Sequence, residues 1–240
     1  MLTTIARSEL VQIVRNRAVL VTSFIMPAAA SAFFIYNRDL FTRIGSLGYI
    51  AAVLVFTIAA FSLYATTVTT LAARRQNLFL KRLRSTAASD PVILSGLMLP
   101  VTVISLVQVG LILGVFAAVG DVPANVPLLA LAILAAFAMM LALGTATAGV
   151  TNSPEHAQVT ALPLSLGVIA VASWVGITGT ESLSVLKRLL PGGSATELIV
   201  SVWNGGTPLS DSLLMLVPTL AWVWVAIAIA TKMFRWEPRR

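Results

Sequence analysis

"LAARRQNLFLKRLRSTAASDP", residues 71–91, interrupts a chain built almost wholly from Leu, Ala, Val and Ile. It holds Arg74, Arg75, Lys81, Arg82 and Arg84 against one acid, Asp90. The segments on either side, 46–71 and 92–119, contain no Asp, Glu, Lys or Arg. Each exceeds the about 20 residues that an apolar helix needs to cross a bilayer. A basic island between two such segments reads as the loop of a membrane-spanning protein. The fold class expected is all-α and polytopic.

Composition agrees. The 240 residues are 58% hydrophobic and 10% charged, with a mean hydropathy of +0.94. Soluble domains carry about a quarter charged residues. A net charge of +7 would suggest nucleic acid in a soluble chain. Here the charges sit in loops, where Lys and Arg set membrane orientation, and no nucleic-acid partner is expected. With no cysteine, disulfides, thiolate metal sites and Cys nucleophiles are excluded.

Six spans are expected, at 18–36, 46–71, 92–119, 126–150, 157–178 and 212–231. "SDP" at 89–91 and "NSPEH" at 152–156 each offer a polar cap followed by Pro in the first helical turn. "GDVPANVP" at 120–127 is a tight turn. Twelve of the 16 Lys and Arg residues fall on one side: Arg7, Arg15, Arg17, the island's five, Lys232, Arg235, Arg239 and Arg240. Arg38, Arg43, Lys187 and Arg188 fall on the other. Both termini and the island are therefore expected in the cytoplasm. "AAASA" at 28–32 resembles a leader-cleavage site, but the apolar run continues through "FFIY" and is read as a span. The whole of 1–240 is expected to be one transmembrane domain, with an N-terminal helix over 1–17, a cytoplasmic loop over 72–90, an outer segment over 179–211 and a tail over 232–240.

On a helical wheel Leu2, Ile5, Ala6, Leu10, Ile13 and Val14 share one half. Arg7, Ser8, Gln12 and Arg15 fall on the other, with Glu9 the one misfit. Such a helix can lie in the headgroup plane. The same wheel makes 72–87 one short amphipathic helix, with Phe79, Leu80 and Leu83 on its apolar face and Arg74, Asn77, Lys81 and Arg84 opposite. Its basic residues would suit topology or anionic lipid. Its large apolar residues want lipid or a protein groove.

The order of an N-terminal helix with "RNRAVLVTSFIMP", a second span, "AARRQNLFLKRLRSTAASDPVILSG" and further spans resembles the permease subunit of ABC-2 type ABC transporters, including actinobacterial drug-resistance exporters. "LLPGGSATELIVSVWNGG" at 189–206 is similar to that family's Leu-Pro segment and outer helical stretch. The resemblance covers essentially the whole chain. It implies that the island is a coupling helix fitting a cleft on a separate ATP-binding subunit, with Phe79, Leu80 and Leu83 docking and Lys81, Arg82 and Arg84 on the rim. It also implies that 179–211 caps the outer end of the pathway, so that Leu190, Pro191, Glu197 and Trp203 belong to an extracellular gate of short or re-entrant helices. One departure stands out: the family often has acids and a Gly after the Arg pair, where this chain has Gln76, Asn77 and Leu78.

No G-x-x-x-x-G-K-[ST] phosphate loop occurs. No enzymatic chemistry and no directly bound cofactor or metal is expected, with ATP and Mg held by the partner. An ion-coupled carrier is the rival class, yet carriers place ionisable residues within spans, and none of the six expected spans holds Asp, Glu, Lys or Arg. His156, the only histidine, sits at a helix start, where a surface or capping role is expected. A non-transporting scaffold or signalling partner of an ATPase is the other alternative. Thr66, Thr67, Thr70 and Gln108 are candidate pathway-lining residues, though hydroxyls within spans also serve helix packing. Trp203, Trp222 and Trp224 read as an interfacial belt. A pathway without charges suits an amphipathic or lipophilic substrate, such as a drug, antibiotic or lipid-like molecule. Two permease copies, as a homodimer or related heterodimer, are expected with two ATP-binding subunits in a bacterial cytoplasmic membrane.

Overall fold

Every element among the described residues is helical. The computed structural model describes residues 2–15, 17, 21–205, 207–234 and 236. Helix α1 is Leu2–Arg15. A π-helical turn, Val21–Ile25, leads into α2, Met26–Tyr36, and α3 is Arg38–Ile44. The long helix α4 runs Leu47–Gln76 and contains a second π-helical stretch, Ala59–Tyr64. The six-residue α5, Phe79–Arg84, follows. Then come α6, Asp90–Val119, α7, Val126–Val150, and α8, Pro154–Thr178. The short α9, Ser184–Leu189, and α10, Gly193–Asn204, precede α11, Leu209–Leu214, and α12, Leu216–Met233.

Five helices are long and apolar enough to cross a membrane: α4, α6, α7, α8 and the run Leu209–Met233. These match five of the six expected spans. The first expected span is represented by a shorter apolar helix, Ser23–Tyr36, and residues 18–20 of it lie outside the described residues. Also outside are Met1 and Asn16 of the expected N-terminal helix, Arg235 and residues 237–240 of the expected tail, Gly206 of the expected outer segment, and the side chains of Leu2, Ile13 and Val14.

The helix starts follow local chemistry. Ser46 caps α4 by accepting from Tyr49 N at 3.1 Å, and Asn125 caps α7 by accepting from Leu128 N at 3.1 Å. Ser153 accepts from His156 N at 3.4 Å, which gives the histidine its place at the head of α8. Pro100 and Pro163 lie inside α6 and α8 without ending them. Pro218 follows the break at Met215; its ring removes one N–H and crowds the carbonyl four residues back, at Leu214.

Helix α4 is the axis of the molecule. In its most apolar 18-residue window 89% of the residues are buried, against 22% for Leu209–Met233. Helices α6, α7, α8 and α10 pack around it. Small residues set the approach. A Cβ on Gly48 would meet the Val200 carbonyl oxygen of α10 at 2.7 Å, and one on Gly144 would meet the Thr67 side chain at 3.0 Å. Hydroxyl pairs tie α4 to its neighbours: Ser62 to Ser105 of α6 at 2.8 Å, Tyr64 to Thr147 of α7 at 3.0 Å, and Thr66 to Ser23 of the first π-helical turn at 2.6 Å. A second, smaller cluster lies at the end that carries the basic island. It gathers Ile5, Leu71, Leu80, Ile93, Leu97, Met98 and Ala148.

Candidate functional site

The basic island is two helical pieces, not one. Helix α4 continues through Arg74 and Arg75 to Gln76; the chain then breaks at Asn77–Leu78, and α5 begins. The break is made by Leu78, whose φ of 55° lies in the left-handed region. Glycine takes that conformation freely, whereas a leucine holds it only with strain. The expected continuous face over 72–87 is therefore corrected.

The turn also decides which side of α5 faces inward. Leu80 is fully buried in the cluster of Ile5, Leu71, Ile93 and Leu97, so its side chain cannot contact a partner. Phe79 and Leu83 pack partly against the same cluster. What α5 offers outward is Lys81, Arg82 and Arg84, with Leu78 46% exposed beside them. Arg82 donates to Asn77 O at 3.0 Å; Arg84 pairs with Asp90 at 3.3 Å and lies over the Trp236 ring at 5.1 Å.

The two arginines that end α4 are engaged within the chain. Arg74 donates to both carboxylate oxygens of Glu9, at 2.6 and 2.8 Å, and also to Gln12. Glu9 is 1% exposed. It is thus the acid that clamps α1 to α4, which explains its position among apolar residues on the wheel. Arg75 is buried and donates to Ala148 O at 3.0 Å and to Thr151 O. These carbonyls end α7, where a cation is favourable to the helix dipole. On α1, Ile5 and Glu9 face inward, Leu10 is 43% exposed, and Arg7 and Arg15 are exposed. The expected single apolar face is thereby split.

The opposite end is built by a hairpin, α9–α10. Gly48 N donates to Asn204 Oδ1 at 3.1 Å, and Ala124 N and Asn125 N donate to the Trp203 and Val202 carbonyls, both at 3.1 Å. The other end of α10 is deeper: a Cβ on Gly192 would touch Phe56 and Val168. Phe56 lies eight residues along α4 from Gly48, about 12 Å at 1.5 Å per residue. The Leu190–Pro191–Gly192 turn therefore dips into the helix bundle, and α10 returns along α4. A Cβ on Gly193 would collide with the Lys187 carbonyl oxygen, so only glycine fits there.

Charged groups hold the hairpin. Lys187 is 1% exposed, and its Nζ donates to Thr178 Oγ1 at 2.8 Å, Gly179 O at 2.7 Å and Ser182 Oγ at 3.4 Å, over the Trp174 ring at 5.1 Å. Glu197 accepts from Arg188 Nε and Nη2 at 2.7 and 2.6 Å and from Thr180 Oγ1 at 2.5 Å. Burial alone would raise the Glu197 carboxyl; the bonds from Arg188 and Thr180 and the Arg188 charge outweigh it and hold it below its ordinary value. Trp222 Nε1 donates to Leu189 O at 2.8 Å and ties the hairpin to α12. Trp203 is buried against Phe116 with ring centroids 5.2 Å apart. Neither tryptophan is a simple interfacial anchor; Trp224, 73% exposed, is open to one.

Of the four candidate pathway residues, three face neighbouring helices of the same chain. Thr66 bonds to Ser23, Thr67 packs on Gly144, and Gln108 is 8% exposed with no partner for its Oε1 among the described residues. For Thr66 and Thr67 the reason is that α4 is the buried axis; Gln108 lies on the buried side of α6. Thr70 lines a cavity of 630 Å³ between α1 and the basic end of α4.

No curated protein and no solved structure matches the chain. A model of the family described as ABC-2 family transporter protein matches residues 7–230. That range takes in most of α1, the basic island, the hairpin and nearly all of α12, and the chain belongs to this family of membrane-spanning transporter subunits.

Proposed function

We propose that the chain is the permease half of an ATP-driven exporter, with six spans, both termini and α5 in the cytoplasm, and ATP hydrolysed by a separate subunit bound at α5. The observation that carries this reading is the construction of α5. Leu80 anchors the helix to α1, α4 and α6 at once, while Lys81, Arg82 and Arg84 stand outward. A push on such a helix is delivered to three others together. ATP-driven closure of the partner pair would move the basic end as a unit and bias a two-state change at the hairpin.

Two copies would pair to complete the conduit. Helix α6 leaves Leu99, Val103, Val107, Leu111, Val115 and Val119 exposed along one stripe. Gly110 and Gly114 have open space before them, a spacing that permits close helix approach in a membrane. An amphipathic or lipophilic cargo fits a pathway without fixed charges, and the Leu190–Pro191 turn, Glu197 and Trp203 form the outer gate.

The test is a mild-detergent pull-down from native membranes, scored for a vanadate-sensitive ATPase, with Arg82→Glu and Leu83→Glu beside the wild type. Copurification with the wild type and its loss in Arg82→Glu, an exposed site that leaves folding intact, is expected. Absence of any ATPase from the wild type would sink the reading and make an ion-coupled carrier the leading one.

A further inference from the structure

We propose that the cavity between α1 and the basic end of α4 is a binding site for the phosphate of an anionic phospholipid headgroup. The inference stands apart from the ATPase docking proposed above, because it uses a different face of the basic end.

The cavity of 630 Å³ is lined by Arg15, Arg17 and Arg74, and by one acid, Glu9. The Glu9 carboxylate is spent on Arg74, which leaves two cations over. Arg15 and Arg17 are exposed and form no ion pair among the described residues. Two guanidiniums on one concave wall are suited to phosphate, which accepts paired N–H bonds from each. The same wall carries uncharged donors: the Thr70 hydroxyl and the Asn77 amide have no hydrogen-bond partner among the described residues.

Depth favours a lipid over a soluble anion. Thr70 closes the uncharged part of α4 and Arg74 opens its charged part, so the cavity lies where an apolar span meets water. Val11 and Ala73 add apolar surface to the lining. A ligand with a phosphate and an acyl chain matches both walls, and anionic headgroups are attracted to basic residues at this depth.

The experiment titrates the detergent-solubilised full chain with dihexanoyl phosphatidylglycerol by calorimetry, beside dihexanoyl phosphatidylcholine and inorganic phosphate. Saturable binding of the glycerol lipid is expected, with the choline lipid weaker and inorganic phosphate a poor competitor. The double variant Arg15→Gln/Arg17→Gln should bind about thirtyfold more weakly, a factor of about five for each cation. Arg7→Gln/Lys232→Gln removes the same charge outside the cavity and should bind as the wild type does. An equal loss in that control would show a diffuse charge effect and overturn the site. Displacement by inorganic phosphate at equal concentration would make it a soluble-anion site and overturn the lipid assignment. So would a double variant that keeps its lipid but no longer copurifies an ATPase, since the wall would then be a protein dock.

Discussion

The tetrapeptide Leu-Lys-Arg-Leu occurs twice, at 80–83 in α5 and at 186–189 in α9. Both copies sit in six-residue helices entered through a leucine at φ 55°, Leu78 and Leu183. Yet their faces are reversed. In α5 the leucine Leu80 is inside and Lys81 outside; in α9 Lys187 is inside, and Leu186 and Leu189 are 50% and 59% exposed. The surroundings decide. Leu80 meets the apolar walls of α1, α4 and α6, whereas Lys187 meets the carbonyl of Gly179 and the hydroxyls of Thr178 and Ser182 at the end of α8. An amphipathic pattern states that a helix has two faces; it does not state which one the protein keeps.

The sharpest way to break this comparison is truncation of the equivalent leucines. Leu80→Ala should cost about 3 kcal/mol by leaving a cavity, whereas Leu186→Ala should stay within about 0.5 kcal/mol. Thermal unfolding of both in one detergent reads the difference, and equal losses would end the claim that the faces are reversed. Next in size is Lys187→Met, which strands the Gly179 carbonyl and should cost about 2 kcal/mol. Limited proteolysis should then cut within 179–193, where the wild type resists. The smallest effect is a gain: Leu78→Gly and Leu183→Gly each relieve a left-handed backbone and should stabilise by roughly 1 kcal/mol at most. Unchanged melting temperatures would mean that each leucine side chain offsets its own backbone strain by packing.

The class of fold was legible because its signals are local. Charge-free runs, capping Ser and Asn residues and proline positions place five long helices to within a few residues. The extension of α4 to Gln76 was not legible, because Arg74 and Arg75 look like loop residues until Glu9 and the α7 carbonyls are brought beside them from 65 and 73 positions away. The candidate site divides the same way. That the basic island is helical and that 179–211 holds two short helices could be read from sequence; the break of the island at Asn77–Leu78 could not. The burial of Leu80, the inward Lys187 and the packing of Thr66 and Thr67 could not, since each depends on a neighbour distant in the chain.

The π-helical stretch Ala59–Tyr64 gives the central helix one residue of slack. A single π turn accommodates an added residue while both flanking halves keep their orientation, so the inward stripe of α4 slips by one position as it passes through. Tightening those residues to regular α geometry would swing one half by about 100° against the other. Arg75 would then lose the end of α7, or Gly48 its seat on α10. Shortening the stretch by one residue would instead leave both seats in phase. The molecule therefore carries, at the middle of its most buried helix, a counted unit of twist, one residue in size, that sets the two halves of the axis in phase.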